Sequence, residues 1–245
     1  MTTTSGPSPD ATAVPEPGPA HPYYPLKAHI PGYAPNDTSV VRLLPVFGAT
    51  VAAVVGLALR QTAKSRVPLR PVDRFAAAWF AMCGFLHVVF EAPQGYYLFY
   101  RNQLPGMSTT FAQLWKEYAL SDSRYLTNDV FTISVEFITA TAWGPISLLT
   151  VRGIVTNSRS RHVAQLIVCV AHLYGVALYY LTNWVEGQMY GVVYSRPEVL
   201  YYWVYYVGFN MPWVIVPAVL LWDSWQQIVC AFAALEEKEA RAKTQ

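Results

Sequence analysis

Five apolar stretches, at residues 41–59, 75–92, 130–151, 163–182 and 200–222, are separated by polar loops and, between the second and third, by a long amphipathic region. Each, as a helix rising about 1.5 Å per residue, is close to the length that crosses a bilayer's hydrocarbon core. Pro45 falls near the start of the first stretch, where a helix absorbs it. Charged residues make up 13% of the chain and hydrophobic ones 53%, against about 25% charged in a soluble domain. The expected fold is therefore an all-α membrane protein, one bundle of five transmembrane helices spanning residues 41–233.

The flanks read differently. Residues 1–20, rich in Pro, Ser, Thr and Ala, are too poor in large apolar groups to offset their ordering entropy and are expected to be disordered. They lack the basic n-region and apolar core of a cleavable signal, so targeting is expected to fall to the first span. In residues 21–40, tyrosines interleave with prolines, which predicts an extended segment along the membrane surface. Residues 234–245 form a charged tail. Eleven Lys and Arg lie in the 1–2 loop, the 3–4 loop and this tail, against six on the other side. The positive-inside rule then places the C-terminus in the cytoplasm and the N-terminus on the lumenal or external side.

Polar groups inside the apolar stretches carry the functional signal. In Met82-Cys-Gly-Phe-Leu-His-Val-Val-Phe-Glu91, His87 and Glu91 are four residues apart and share a helix face. Glu136 lies in the third stretch, with Thr139 and Trp143 at helical spacing, and Asn210 lies in the fifth, with Trp213 one turn on. Gln165, Cys169, His172, Gly175 and Tyr179 form a polar or small stripe in the fourth. Intramembrane carboxylates and imidazoles are costly, so they face the bundle interior and have partners. Buried acids, a base and electron-rich rings are the groups needed to move protons at an apolar substrate and to stabilise a cation.

Other features have plainer readings. Asn210 alone could serve as an interhelical hydrogen-bonding group. Trp143, Trp203 and Trp222 suit packing or interface positions, and Gly144 and Gly175 suit close helix approach. Arg124 with Asp122 suits a solvated or rim ion pair. Cys83, Cys169 and Cys230 stand at no metal-ligand spacing and read as buried small hydrophobes. Too few histidines lie in the spans for a di-iron oxygenase, so no metal is expected. Neither a phosphate loop, a nucleophile elbow nor a nicotinamide fingerprint is placed where a helix could present it. A net charge of +2 gives no reason to expect a nucleic-acid partner.

The ordered set of motifs resembles the emopamil-binding protein family, sterol delta-8 to delta-7 isomerases of the endoplasmic reticulum. The resemblance is carried by His21-Pro-Tyr, Pro31-Gly-Tyr-Ala-Pro, Cys83-Gly-Phe-Leu-His-Val-Val-Phe-Glu, Trp115-Lys-Glu-Tyr with Asp122-Ser-Arg-Tyr, and Glu136-Phe-Ile-Thr with Trp143-Gly-Pro. It continues through Gln165-Leu, Leu173-Tyr-Gly, Tyr202-Trp-Val-Tyr-Tyr and Asn210-Met-Pro-Trp.

The resemblance implies a five-helix bundle enclosing a sterol-sized cavity, often dimeric, that needs neither redox cofactor nor metal. A proton is added at the 8,9 double bond and another is removed from C7 through a carbocation. By position, His87, Glu91 and Glu136 become the proton-transfer set, Asn210 a hydrogen-bonding organiser and Trp213 the ring facing the cation. Thr139 would orient Glu136, and Trp115, Tyr118 and Tyr125 would line or close the cavity. Lipophilic cationic amines would bind as carbocation mimics. The sequence departs from the family after Glu91, where Ala92-Pro-Gln-Gly replaces Gly and an aromatic residue, and at Val176, where animal members carry an acid. Pro93 is expected to break the second helix. The departures leave two alternatives in view. One is an isomerase or cyclase of the same mechanism acting on a terpenoid, and the other is a protein that binds sterols or amphiphilic amines without chemistry.

Overall fold

The computed structural model describes residues 21–244, and the expected disorder of 1–20 lies outside them. Among the described residues there is no strand. Five helices are long and apolar enough to cross a membrane: α1 (Val40–Thr62), α2 (Pro71–Tyr100), α4 (Val130–Val155), α5 (Arg161–Tyr190) and α6 (Leu200–Lys243). A short helix, α3 (Thr110–Tyr118), lies between the second and third spans, with the Thr109 hydroxyl accepting from the Ala112 N–H to cap it. Every expected apolar stretch is matched by one of these long helices. The second overruns its expected end by eight residues, and α6 carries the expected tail as helix to Lys243.

The overrun corrects the reading of Pro93. Proline removes a backbone donor and clashes with the carbonyl four residues earlier in a regular helix. Here the turn before it, Leu86–Glu91, is π-helical, and Pro93 sits in the first turn of the α-helical segment Ala92–Gly95 that comes next. A widened turn has already interrupted the i to i−4 ladder, so the proline takes no bond from it. Further π-helical turns occupy Tyr96–Tyr100, Thr139–Trp143 and Leu200–Gly208. Such turns shift the faces of later residues, so Glu136 and Trp143 do not share a face as an uninterrupted α-helix would have them do.

The N-terminal segment packs onto α3. Tyr23 is buried and its hydroxyl donates to the Lys116 carbonyl at 3.0 Å, while the Lys116 ammonium donates to the Ala34 carbonyl at 2.8 Å. Asn36 and Thr38 bond Gln113 in the same helix. Together with α3 and the loop to Asn128, this segment makes a cap at one end of the bundle. At the other end Arg70 reaches Asp223 with both guanidinium nitrogens at 2.8 Å and Asp73 through a further pair of contacts, tying the start of α2 to α6.

Arg124 and Asp122 are not a rim pair. Both side chains are 0% exposed, joined at 2.7 Å, and the guanidinium lies 5.0 Å and 5.2 Å from the ring centroids of Tyr179 and Tyr194. The Thr182 hydroxyl accepts a further N–H from it. The pair thus pins the cap to α5. Burial of two ions is repaid only when both are present and well hydrogen-bonded.

Close helix approach is divided between the glycines. A Cβ on Gly144 would meet Val88 Cγ2 at 2.6 Å and His87 Cβ at 3.0 Å, so its absence sets how near α4 comes to α2 at His87. Gly175 faces open space, which corrects its expected role. Cys83 and Cys169 are buried as expected, whereas Cys230 is exposed on α6.

Thermal unfolding in detergent should separate these roles. Arg124→Ala should cost about 3–5 kcal/mol, because it strands a buried carboxylate, and removing both charges with Asp122→Asn/Arg124→Met should cost less. Gly144→Ala should lose about 1–3 kcal/mol by overpacking. Gly175→Ala should leave stability unchanged or raise it by up to about 1 kcal/mol.

Candidate active site

His87 is buried on the π-helical turn of α2, and its Nδ1 lies 2.6 Å from Glu91 Oε2. Its other nitrogen, Nε2, lies 3.1 Å from Nε2 of His172 on α5. The contacts are satisfied when the His87 Nδ1–H donates to Glu91 and the His172 Nε2–H donates to His87. The widened turn keeps residues four apart within reach, so the pairing read from spacing is realised.

The second carboxyl comes from α4. Glu136 is buried, its Oε2 has no hydrogen-bond partner among the described residues, and Glu91 and Tyr125 are ionisable neighbours. The π-helical turns Leu86–Glu91 and Thr139–Trp143 pack against each other, which brings the carboxyls of α2 and α4 together. Glu136, Glu91, His87 and His172 thus form a chain of proton-carrying groups drawn from three helices. His172 joins α5 to the site and was missed as a site residue. Its signal was the stripe in the fourth span, of which Gln165, Cys169, His172 and Tyr179 are all buried.

An aromatic wall closes the cap side. Trp115 stacks on Phe90 at 4.8 Å and donates its indole N–H to the Phe90 carbonyl. Trp115 and Tyr118 flank Tyr125 at 5.2 Å and 5.3 Å between ring centroids. Asn210 donates to the Tyr118 hydroxyl at 3.3 Å and to the Tyr206 carbonyl at 2.8 Å, so it ties α6 to this wall. Gln94, buried in the departure after Glu91, donates to the Tyr125 carbonyl at 3.0 Å and braces the same ring's backbone. In α3, burial raises the Glu117 carboxyl above its ordinary range, and the Tyr205 hydroxyl donates to it at 3.2 Å.

The remaining expected residues are placed less directly. Trp213 packs on Trp79 at 5.2 Å in the apolar cluster that also holds Cys83, one turn from His87. Thr139 makes no side-chain hydrogen bond to Glu136 among the described residues, and only its backbone N–H bonds the Glu136 carbonyl. Grooves of about 420 Å³ and 380 Å³ lie elsewhere, the first beside Pro25, Ser123 and Tyr194 and the second beside Arg152 and Ser158.

Residues 110–224 match the family described as EBP: EXPERA (EXPanded EBP superfamily). The chain is 37% identical over 230 residues to the 3-beta-hydroxysteroid-Delta(8),Delta(7)-isomerase of Cavia porcellus, covering 92% of this chain and 96% of that one. It is 34% identical over 217 residues to a protein of Oryza sativa subsp. japonica named as a probable isomerase of the same kind, covering 86% and 94%. It is also 35% identical over 173 residues to an isomeliandiol synthase of Melia azedarach, covering 70% and 77%. With its five apolar helices and its near-full alignment with the isomerase of Cavia porcellus, the chain belongs to the family EBP: EXPERA (EXPanded EBP superfamily).

Proposed function

We propose that this chain is an intramembrane sterol isomerase that moves a ring double bond from the 8,9 to the 7,8 position. The observation that carries this reading is the chain of Glu136, Glu91 and His87, two carboxyls and an imidazole assembled across α2 and α4, with Glu136 and His87 buried and Glu91 partly so. The isomerase names of relatives that align over nearly the whole chain support it.

Chemically the reaction is proton in, proton out. An acid delivers a proton to C9, the positive charge develops at C8, and a base removes a proton from C7 as the new double bond forms. Atoms and charge balance without any redox partner. Glu136 and Glu91 sit where one can give a proton and the other can hold negative charge near the cation, with His87 passing the proton between states. Trp213 supplies an indole face from α6, worth about 2 kcal/mol or more to a desolvated cation. Asn210 holds the wall of Trp115, Tyr118 and Tyr125, whose displacement admits the ring system, and Thr139 lies along its edge.

The same groups would bind lipophilic amines, whose ammonium mimics the cation. The protein acts from within the endoplasmic reticulum membrane, as a homodimer, with the α3 cap on the lumenal side and the C-terminus in the cytoplasm. That orientation rests on the eleven Lys and Arg of the 1–2 loop, the 3–4 loop and the C-terminal tail, from Arg60 to Arg74, from Arg152 to Arg161 and beyond residue 236, against six on the other side.

A terpenoid substrate is the second reading. It is favoured by the relative named isomeliandiol synthase and by the rebuilt segment Ala92–Gly95 next to Glu91. Pure binding without chemistry would leave the buried acids without a purpose.

Purified protein incubated with a delta-8 sterol in deuterated water should yield delta-7 product carrying one deuterium at C9, read by NMR and mass spectrometry. Folded protein that binds amines but converts no sterol would shift the substrate to a terpenoid. Glu136→Gln should lower turnover by at least about 10²-fold, with the melting profile and ligand binding retained. Unimpaired turnover in that variant would remove Glu136 from the proton path. Trp213→Ala should weaken a cationic amine by about 30-fold, the equivalent of ~2 kcal/mol, and a neutral sterol far less. Equal losses would count against the cation-facing role.

A further inference from the structure

Cys83, His87 and His172 converge in the interior. All three side chains are buried, and one ligand atom from each lies within 4.8 Å of the others. Cys83 stands one turn before His87 on α2, and His172 faces both from α5. We infer that these three residues form a soft divalent-metal site, and that a zinc or cadmium ion there competes with the proton that His87 handles. The inference shares His87 with the isomerase reading, but metal binding itself does not depend on that reading.

The geometry suits a metal of this kind. The two imidazole nitrogens are 3.1 Å apart. An ion about 2.0–2.1 Å from both would subtend roughly 100° between them, near the tetrahedral value, and a thiolate completes a face at about 2.3 Å. One thiolate with two imidazoles is a donor set that selects zinc-like ions over magnesium or calcium. Glu91 already holds Nδ1 of His87 at 2.6 Å, the outer carboxylate that fixes the ring and strengthens a ligating histidine. His172 Nδ1 is buried and has no partner among the described residues. It can therefore take the ring's proton when Nε2 turns to the metal. On binding, the Cys83 thiol gives its proton to solvent and its sulfur forms the new bond. His172 shifts its proton from Nε2 to Nδ1, and no electron changes hands. One proton leaves per ion bound. The His87 lone pair that would have met a proton is then occupied.

Cadmium titrated into the full-length protein in detergent, carrying Cys230→Ser to remove the exposed thiol, should give a thiolate charge-transfer absorption that saturates at one ion per chain. Zinc should displace it, and calorimetry in buffers of different ionisation enthalpy should count one proton released. Cys83→Ser and Cys83→Ala should abolish the absorption, and His172→Gln, with the thiol intact, should weaken binding at least tenfold. No absorption, or an absorption that survives loss of Cys83, would overturn the site. Zinc should also stop turnover of the parent at one equivalent and spare Cys83→Ser, whereas zinc bound with turnover retained would overturn the competition. Should the protein turn out not to isomerise sterols, the cadmium absorption, the proton count and their dependence on Cys83 and His172 still decide the site.

Discussion

The constraint that shapes this molecule is that a polar group placed inside an apolar bundle has no water to fall back on. The buried acids and bases at its centre are tied across helices, and those ties decide how the helices meet. His87 is held by Glu91 on its own turn and by His172 across the interface with α5. Arg124, with no exposed surface, takes Asp122, Thr182 and two tyrosine rings, and so fixes the cap to α5. Among the described residues, Glu136 keeps one oxygen without a partner beside Glu91, and His172 Nδ1 and the Tyr179 hydroxyl are likewise unpartnered.

The π-helical turns explain how the carboxyls reach each other. A wider turn inserts an extra residue and re-aims everything beyond it, at the cost of backbone hydrogen bonds. Two of these turns, in α2 and α4, pack directly against each other at the level of His87. Gly144 begins the α-helical stretch after the second, and the missing Cβ lets its backbone pass within contact of the first. The strain of an irregular helix is placed where the chemistry needs close approach.

The features legible in the residues were those that depend on local spacing. The long apolar runs predicted five helices, the i, i+4 spacing predicted the contact of His87 with Glu91, and the polar stripe of the fourth span predicted its buried face. The features that escaped depend on meetings between distant parts of the chain. His87 and His172 are 85 residues apart, and three cysteines without metal spacing gave no hint that one would join them. Asp122 and Arg124 looked like surface residues because nothing in their neighbourhood foretold that the 21–39 segment and Tyr194 would cover them. Pro93 misled because a breaker reads as a breaker until the turn before it is known to be widened.

That last residue also shows how a local change of sequence is absorbed beside the His87–Glu91 pair. The change to Ala92-Pro-Gln-Gly leaves the His87–Glu91 pair untouched and alters the turn beyond it. The proline continues the helix, and Gln94 turns inward to hold the Tyr125 backbone. The wall facing the carboxyls is therefore set by a residue that carries no proton. The residue that braces this wall and the His87–Glu91 pair thus stand one turn apart and make separate contacts.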